Sequence, residues 1–272
     1  MSFYAVFGHP IAHSRSPQIH RLFAQQEGRD LVYQAILAPL DDFPGAVRSF
    51  LAAGGVGANV TVPFKAQAFA MADQCTTRAQ AAHAVNTLFW HEGTLLGDNT
   101  DGVGLIRDIT QLQGMDLRGK RILLLGAGGA AQGVLTPLWA QHPKSLTVAN
   151  RTLHNAKVLQ DAFPSIDLRI STLGDLDDDY DVVINATSGS LQGIDLPVAT
   201  SVLGRAEFVY DMMYAPQLTP FLQAARQAGC LKVADGLGML VAQAAASYAL
   251  WHGFEPDVAM VVDAVRANME QA

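Results

Sequence analysis

Arg121-Ile122-Leu123-Leu124-Leu125-Gly126-Ala127-Gly128-Gly129-Ala130-Ala131, near the middle of the chain, is a short apolar run followed at once by a cluster of glycines and alanines. Its first five residues form a short apolar run of the kind that makes a parallel strand buried on both faces. The glycines follow directly. In a dinucleotide-binding turn the first glycine permits a tight bend and the second lets backbone approach a pyrophosphate. A small third residue then lets the helix pack on the strand. Residues 131–142 are largely apolar with helical spacing, so strand, turn and helix occur in the order the motif needs. The alternative is an ordinary strand-to-helix turn, which would not require all three together. The 120 residues before this strand must then carry something other than the cofactor.

Moving outward, short apolar strands alternate with helical segments from residue 119 to 236, with strands expected at 121–125, 146–149, 167–170, 181–185, 208–211 and 231–234. Six such strands complete a doubly wound unit. Pro137 falls inside the first helical segment and should kink it. The first hundred residues alternate too, with strands at 3–7, 32–37 and 58–62 and helices at 17–26, 42–53 and 64–72. A hairpin over 84–97, turning at Glu92-Gly93, closes that region. The fold class is therefore α/β with two α/β domains, followed by a helical tail from Gly238 that is rich in alanine.

At 272 residues, with 50% hydrophobic and 16% charged content, the chain can bury two cores and is not disordered. A net charge of -7 argues against a nucleic-acid surface and leaves any bound phosphate or carboxylate to local donors and helix N-termini. Cys75 and Cys230 are too few for a disulfide framework, and Met1-Ser2-Phe3-Tyr4 lacks a basic leader, so a cytoplasmic setting is expected. Residues 238–251 are too short to span a bilayer, so no membrane association is expected. No metal-ligand spacing suggests itself.

Four constellations carry chemistry. Asn59-Val60-Thr61-Val62-Pro63-Phe64-Lys65 is a strand leading into a proline-started helix. Lys65 there opposes the helix dipole, so it is either a solvated surface lysine or a group placed for proton transfer. Asp98-Asn99-Thr100-Asp101-Gly102 precedes a helix over 102–111. Asp101 reads as its N-cap, as an orienting carboxylate for Lys65, or as both. In His13-Ser14-Arg15-Ser16-Pro17, Ser16 fits a helix N-cap, and Ser14 adds a second hydroxyl suited to a carboxylate ligand. Val148-Ala149-Asn150-Arg151-Thr152 occupies the place where an acid would bind the 2′-hydroxyl of NAD. A neutral Asn150 followed by Arg151 favours the 2′-phosphate of NADP, unless Arg151 merely precedes the cap Thr152.

With these motifs, Ala84-Val85-Asn86-Thr87, Asn185-Ala186-Thr187-Ser188, Asp211-x-x-Tyr214-x-Pro216 and Asp235-Gly236-x-x-Met239-Leu240-x-x-Gln243, the chain resembles the shikimate dehydrogenase family over nearly its whole length. The resemblance implies reversible NADPH-linked reduction of 3-dehydroshikimate to shikimate. It implies a substrate-binding domain of residues 1–101 plus 238–272, completed by the tail, and a Rossmann NADP-binding domain of residues 102–237. Lys65 and Asp101 would be the catalytic pair. Ser14, Ser16, Thr61, Asn86, Tyr214 and Gln243 would contact substrate. Gly126, Ala127, Gly128, Gly129, Ala130, Ala131, Asn150, Arg151, Thr152, Thr187, Met212 and Gly236 would hold the cofactor.

Two positions depart from the family pattern. Leu153, His154 and Asn155 offer no second basic residue after Arg151, and Ser188-Gly189-Ser190 brings its glycine one residue early. The competing readings are an NAD-linked quinate/shikimate dehydrogenase and a non-catalytic sensor of shikimate-like acids or dinucleotide. The expected partner is a small-molecule substrate, with the chain a monomer or homodimer.

Overall fold

The computed structural model describes residues 3–177, 179–187, 189 and 197–271. The chain forms two compact units, Met1–Gly104 with Val241–Val265, and Leu105–Leu240 with Arg266–Ala272.

In the first unit a six-stranded sheet has the order β2-β1-β3-β5-β6-β4. Its strands are β1 (Phe3–Gly8), β2 (Val32–Leu37), β3 (Gly55–Val60), β4 (Gln74–Cys75), β5 (Thr87–His91) and β6 (Thr94–Asp98). The three leading strands are parallel, and the β5–β6 hairpin runs antiparallel to β3, turning at Glu92 and Gly93, both at positive φ. Helices α1 (Ser16–Glu27), α2 (Phe43–Ala52), α3 (Lys65–Met71) and α4 (Thr77–Ala82) connect the strands. β4 and α4 fall where no element is expected from the pattern, because each is only a few residues long. Phe7, Phe43, Phe50, Val60 and Phe64 lie in the core beneath α2 and α3. Phe43 and Phe64 stack at 4.7 Å.

The second unit is an all-parallel sheet of order β12-β11-β10-β7-β8-β9. It comprises β7 (Arg121–Leu125), β8 (Ser145–Ala149), β9 (Leu168–Ser171), β10 (Val182–Asn185), β11 (Phe208–Asp211) and β12 (Val233–Asp235). This is the doubly wound order, whose switch point lies at the carboxyl ends of β7 and β10. Ile122, Leu123, Leu124 and Leu125 are all fully buried, as helices on both faces require. The last strand starts later than its apolar pattern suggests, since Leu231 is 86% exposed and packs in no core.

Helix α5 (Asp101–Arg107) continues as one π-helical turn, Asp108–Leu112, instead of a regular helix to residue 111. Asp108 explains the change. It is fully buried, accepting from the Tyr210 hydroxyl at 2.6 Å and from Gln113 Nε2 at 3.0 Å, while the Gln113 amide bonds the Asp108 carbonyl five residues back. Helix α6 (Gly129–Trp139) starts at the glycines and ends two residues after Pro137, short of the expected 142. The remaining helices are α7 (Leu153–Ala162), α8 (Thr200–Arg205), α9 (Pro220–Gln227), α10 (Leu237–His252) and α11 (Val258–Glu270).

The chain passes between the units inside α5, inside α10 and inside α11, a few residues from the 101/102 and 237/238 boundaries expected. The tail does not belong wholly to the first unit. Residues 266–272 group with the second, where Arg266 donates to the Ala215 carbonyl at 2.7 Å and to Asp235 Oδ1 at 2.5 Å.

Candidate active site

Lys65 is the first residue of α3, delivered there by the turn in which the Phe64 amide bonds the Thr61 carbonyl at 3.0 Å. Its Nζ lies 2.5 Å from Asp101 Oδ2, with the two side chains 30% and 14% exposed. The second carboxylate oxygen accepts from Asn86 Nδ2 at 2.8 Å. Both oxygens of Asp101 are thus engaged by side chains and neither caps α5. That part is taken by Asn99, whose Oδ1 accepts from the Asp101 amide at 3.1 Å. The pair is a cation and a carboxylate in a partly sheltered setting, able to hold and release a proton at Nζ while the carboxylate keeps it oriented.

The loop that presents Asp101 is braced from below. Asp98, 2% exposed, accepts from Thr76, from two nitrogens of Arg78 and from the Asn99 amide. Burial works to raise its carboxyl, yet the Arg78 and Thr76 hydrogen bonds, the Arg78 charge and the Asn99 amide hold it below the usual carboxylate value.

Asn86 is 2% exposed and its amide is fully occupied. Besides Asp101, Nδ2 reaches Thr100 Oγ1 at 3.0 Å and Gln243 Oε1 at 3.3 Å, while Oδ1 accepts from the Thr100 amide at 2.9 Å and the Thr87 hydroxyl at 2.8 Å. Gln243, from α10, thereby joins the cluster. One turn along, Ser247 Oγ contacts Thr87 Oγ1 at 2.7 Å and accepts from Asn59 Nδ2 at 2.9 Å. Asn59 Oδ1 meets the Tyr33 hydroxyl at 2.7 Å and His20 Nε2 at 3.1 Å. Because that oxygen only accepts, His20 carries its proton on Nε2, and its buried Nδ1 has no partner among the described residues. Burial, the largest influence, brings the His20 pKa down to about 3, against the opposing hydrogen bond to Asn59, and the nearby His252 adds to the lowering.

Ser14 and Ser16 stand together. Ser16 is already inside α1, so it is not the cap expected of it; its amide donates to Ser14 Oγ at 3.3 Å. Thr61 sits against Gly8, where an added Cβ would come within 2.6 Å of its methyl group.

In the second unit the glycine turn has the form a pyrophosphate needs. Gly126 has φ +105°, open to glycine alone without strain, and a Cβ there would lie 2.9 Å from Thr187 Cγ2 across the switch point. Among the described residues nothing lies within 4 Å of a Cβ placed at Gly128 or Gly129, which leaves room beside the start of the 11-residue α6, where helix amides are free to receive an anion. These residues therefore fit a dinucleotide. Ala127 is half-buried, Ala130 exposed and Ala131 buried against β7 and its neighbours. Thr187 is tied by its amide and hydroxyl to Asn185 Oδ1 at 3.0 and 2.8 Å. Asn185 Nδ2 donates to Asp211 at 2.9 Å. Gly236 is excluded from carrying a side chain, since a Cβ would meet the Met212 carbonyl oxygen at 2.2 Å. After β8, Asn150 Nδ2 donates to the Thr152 carbonyl at 2.9 Å, and Arg151 is exposed. Thr152 is the N-cap residue of α7 without a side-chain cap bond. Tyr214 lies in this second unit, past β11. Ser188 and Ser190, where the loop pattern departs, are outside the described residues.

Among residues not singled out from sequence, Tyr33, His20, Thr87, Thr100 and Ser247 are part of the polar network. Ser247 stands four residues after Gln243 and so on the same helix face, the one signal that could have pointed to it. No group of three or more His, Cys, Asp or Glu side chains able to hold a metal occurs among the described residues, and none of their helices is long and apolar enough to cross a membrane.

A doubly wound sheet with an open glycine turn, and an α/β unit carrying a lysine–carboxylate pair, define the class of two-unit α/β dinucleotide-dependent dehydrogenases. Residues 6–88 match the family described as shikimate dehydrogenase substrate binding domain, residues 108–207 that of shikimate / quinate 5-dehydrogenase, and residues 236–266 the shikimate 5′-dehydrogenase C-terminal domain. The chain belongs to the shikimate dehydrogenase family. It is 52% identical over 272 residues to the shikimate dehydrogenase (NADP(+)) of Aromatoleum aromaticum, and 50% over 268 residues to that of Laribacter hongkongensis, covering 98% of each chain in both cases. Among solved structures, an Ael1 enzyme from Pseudomonas putida superposes with a TM-score of 0.93 at 45% identity, covering 97% of this chain and 98% of that one. The Thermus thermophilus shikimate 5-dehydrogenase in complex with NADP(H) and shikimate gives 0.89 at 34% identity, covering 98% and 99%.

Proposed function

We propose that the protein catalyses the reversible NADPH-linked reduction of 3-dehydroshikimate to shikimate, with Lys65 and Asp101 as the catalytic pair. The observation that carries this reading is the 2.5 Å contact between Lys65 Nζ and Asp101 Oδ2, with Asn86 on the other carboxylate oxygen. Residues 1–101 with most of the helical tail from 238 form the substrate-binding domain, and residues 102–237 the NADP-binding domain.

NADPH, when bound, supplies the hydride that goes to C3 of the ketone. As the C–H bond forms, the carbonyl π pair moves onto oxygen, and Lys65 Nζ donates a proton there to give the alcohol. Asp101 stays ionised, keeps the ammonium aimed, and Lys65, 30% exposed, regains its proton from water. Ser14 and Ser16 donate to the substrate carboxylate, and Thr61, Asn86, Gln243 and Tyr214 contact the ring hydroxyls. An analogue lacking a hydroxyl leaves a polar partner unsatisfied at a cost of about 1–3 kcal/mol. The amides of residues 126–131 hold the pyrophosphate, Asn150, Arg151 and Thr152 the adenosine 2′-phosphate, and Thr187, Met212 and Gly236 border the nicotinamide.

The protein works as a monomer or homodimer in the cytoplasm, where Cys75 and Cys230 remain free thiols; it binds neither nucleic acid nor membrane. Steady-state rates with shikimate and quinate, each with NADP⁺ and NAD⁺, test the reading. Shikimate with NADP⁺ should be fastest. Faster quinate oxidation with NAD⁺ would replace it by the quinate/shikimate activity, and binding without turnover by a sensor.

A further inference from the structure

We propose that Tyr33 is a positioning residue of the substrate site, holding Asn59 and heading a chain of hydrogen bonds that ends on the Asp101 carboxylate. The inference rests on the functional reading above only in taking Asn86 as a contact of the substrate.

The direction of the chain follows from which groups can donate. A carboxylate only accepts, so Asn86 turns Nδ2 toward Asp101 and leaves Oδ1 to receive the Thr87 proton at 2.8 Å. With that proton committed, the 2.7 Å contact between Thr87 and Ser247 draws on the proton of Ser247, which the Gln243 carbonyl at 3.1 Å also accepts. Ser247 Oγ in turn receives Asn59 Nδ2 at 2.9 Å, and Asn59 Oδ1 receives the Tyr33 hydroxyl at 2.7 Å. Each link runs the same way, from phenol through amide, two hydroxyls and a second amide to the carboxylate that meets Lys65. Such aligned donors polarise one another.

Tyr33 is suited to this position by its rigidity. Its ring stacks on His20 with centroids 4.2 Å apart and planes 10° from parallel, and His20 reaches the same Asn59 oxygen. It stands on β2, with β1 between it and the Asn59 strand β3, so its phenol crosses one strand to make the bond. Removing the hydroxyl leaves Asn59 Oδ1 with His20 alone and takes the first donor from the chain that orients Asn86.

Tyr33→Phe keeps the ring against His20 and deletes only the hydroxyl. The KM for shikimate should rise about tenfold while the KM for NADP⁺ and the thermal midpoint stay near wild type. In the substrate-free protein the Asn86 side-chain amide signals should move in the ¹⁵N spectrum, although Tyr33 does not touch Asn86. Ser247→Ala, which breaks the chain midway, should move the same signals, and Ser247→Thr, which keeps a hydroxyl, should restore them. A shikimate KM within twofold of wild type in Tyr33→Phe, unmoved Asn86 signals, or a lowered midpoint with neither change overturns the proposal. If the wild-type protein fails to oxidise shikimate, the functional reading fails instead, and the amide signals still decide the chain. If Tyr33→Phe does not fold, the Ser247 pair carries the test.

Discussion

Lys65 and Asp101 meet at 2.5 Å from opposite sides of a polar cluster, one at the first residue of α3 and the other at the first residue of α5. Neither helix start explains its residue. A lysine at an N-terminus opposes the dipole, and the carboxylate that could have served as a cap bonds Lys65 and Asn86 instead.

Lys65→Ala removes the proposed proton donor and leaves the second unit untouched. Turnover of shikimate with NADP⁺ should fall by about 10²–10⁴-fold with NADP⁺ affinity unchanged. Single-turnover rates beside a fluorescence titration of the cofactor separate the two. Wild-type turnover in the variant would remove Lys65 from the mechanism.

Arg151→Ala tests nucleotide choice. Loss of a charge-assisted hydrogen bond of about 1.5–3 kcal/mol should raise the KM for NADP⁺ by roughly 10–100-fold and leave that for NAD⁺ nearly unchanged. Parallel kinetics with both nucleotides give the answer, and equal loss with each would assign Arg151 a role away from the 2′-phosphate.

His20 makes stability depend on pH. Its folded pKa, about 3, lies below the ordinary value near 6.5, so between these values the unfolded chain binds more protons and stability falls as pH falls. His252 is lowered too, by burial first and by the Arg29 charge, and acts with the same sign. Urea unfolding of the wild type should therefore weaken from pH 6.5 to 5, a window above most carboxylate titration. His20→Phe should flatten that slope by up to about 1.4 kcal/mol per pH unit, leaving the His252 share. An unchanged slope would mean that His20 is protonated in the fold.

Gly236→Ala places a Cβ 2.2 Å from the Met212 carbonyl oxygen, and backbone on backbone has no rotamer with which to escape. The loops after β11 and β12 must separate, at a cost of about 1–3 kcal/mol. Calorimetry should show a lowered midpoint. Cofactor affinity should drop with it, because Met212 and Gly236 border the proposed nicotinamide position.

The glycine turn was legible because everything that defines it is local, from the apolar run 121–125 to the small residues after it. The six parallel strands were legible for the same reason, to within two residues at their starts. What local pattern could not show was who meets whom. Tyr33 reaches Asn59 only because β1 lies between β2 and β3, and nothing in the run 32–37 declares that order. Ser247 was hidden because α10 is buried on most sides, leaving no polar face for a period to reveal. The π turn after α5 depends on the bond that the Tyr210 hydroxyl donates to Asp108, 102 residues away. Lys65 and Asp101 were paired through family resemblance, with periodicity offering only candidates.

The first unit is assembled from two stretches separated by the whole parallel sheet. During synthesis, Asn59 and Thr87 emerge long before Ser247, and Asn86 long before Gln243. Residues 105–240 already contain all six strands of the other sheet when the ribosome reaches Val241. The usual order, in which the leading domain matures first, is therefore reversed here. The lysine–carboxylate cluster acquires its last supports only as the final helices leave the exit tunnel, so a nascent chain that stops between residues 132 and 240 has the glycine turn but lacks the Gln243 and Ser247 that brace the cluster.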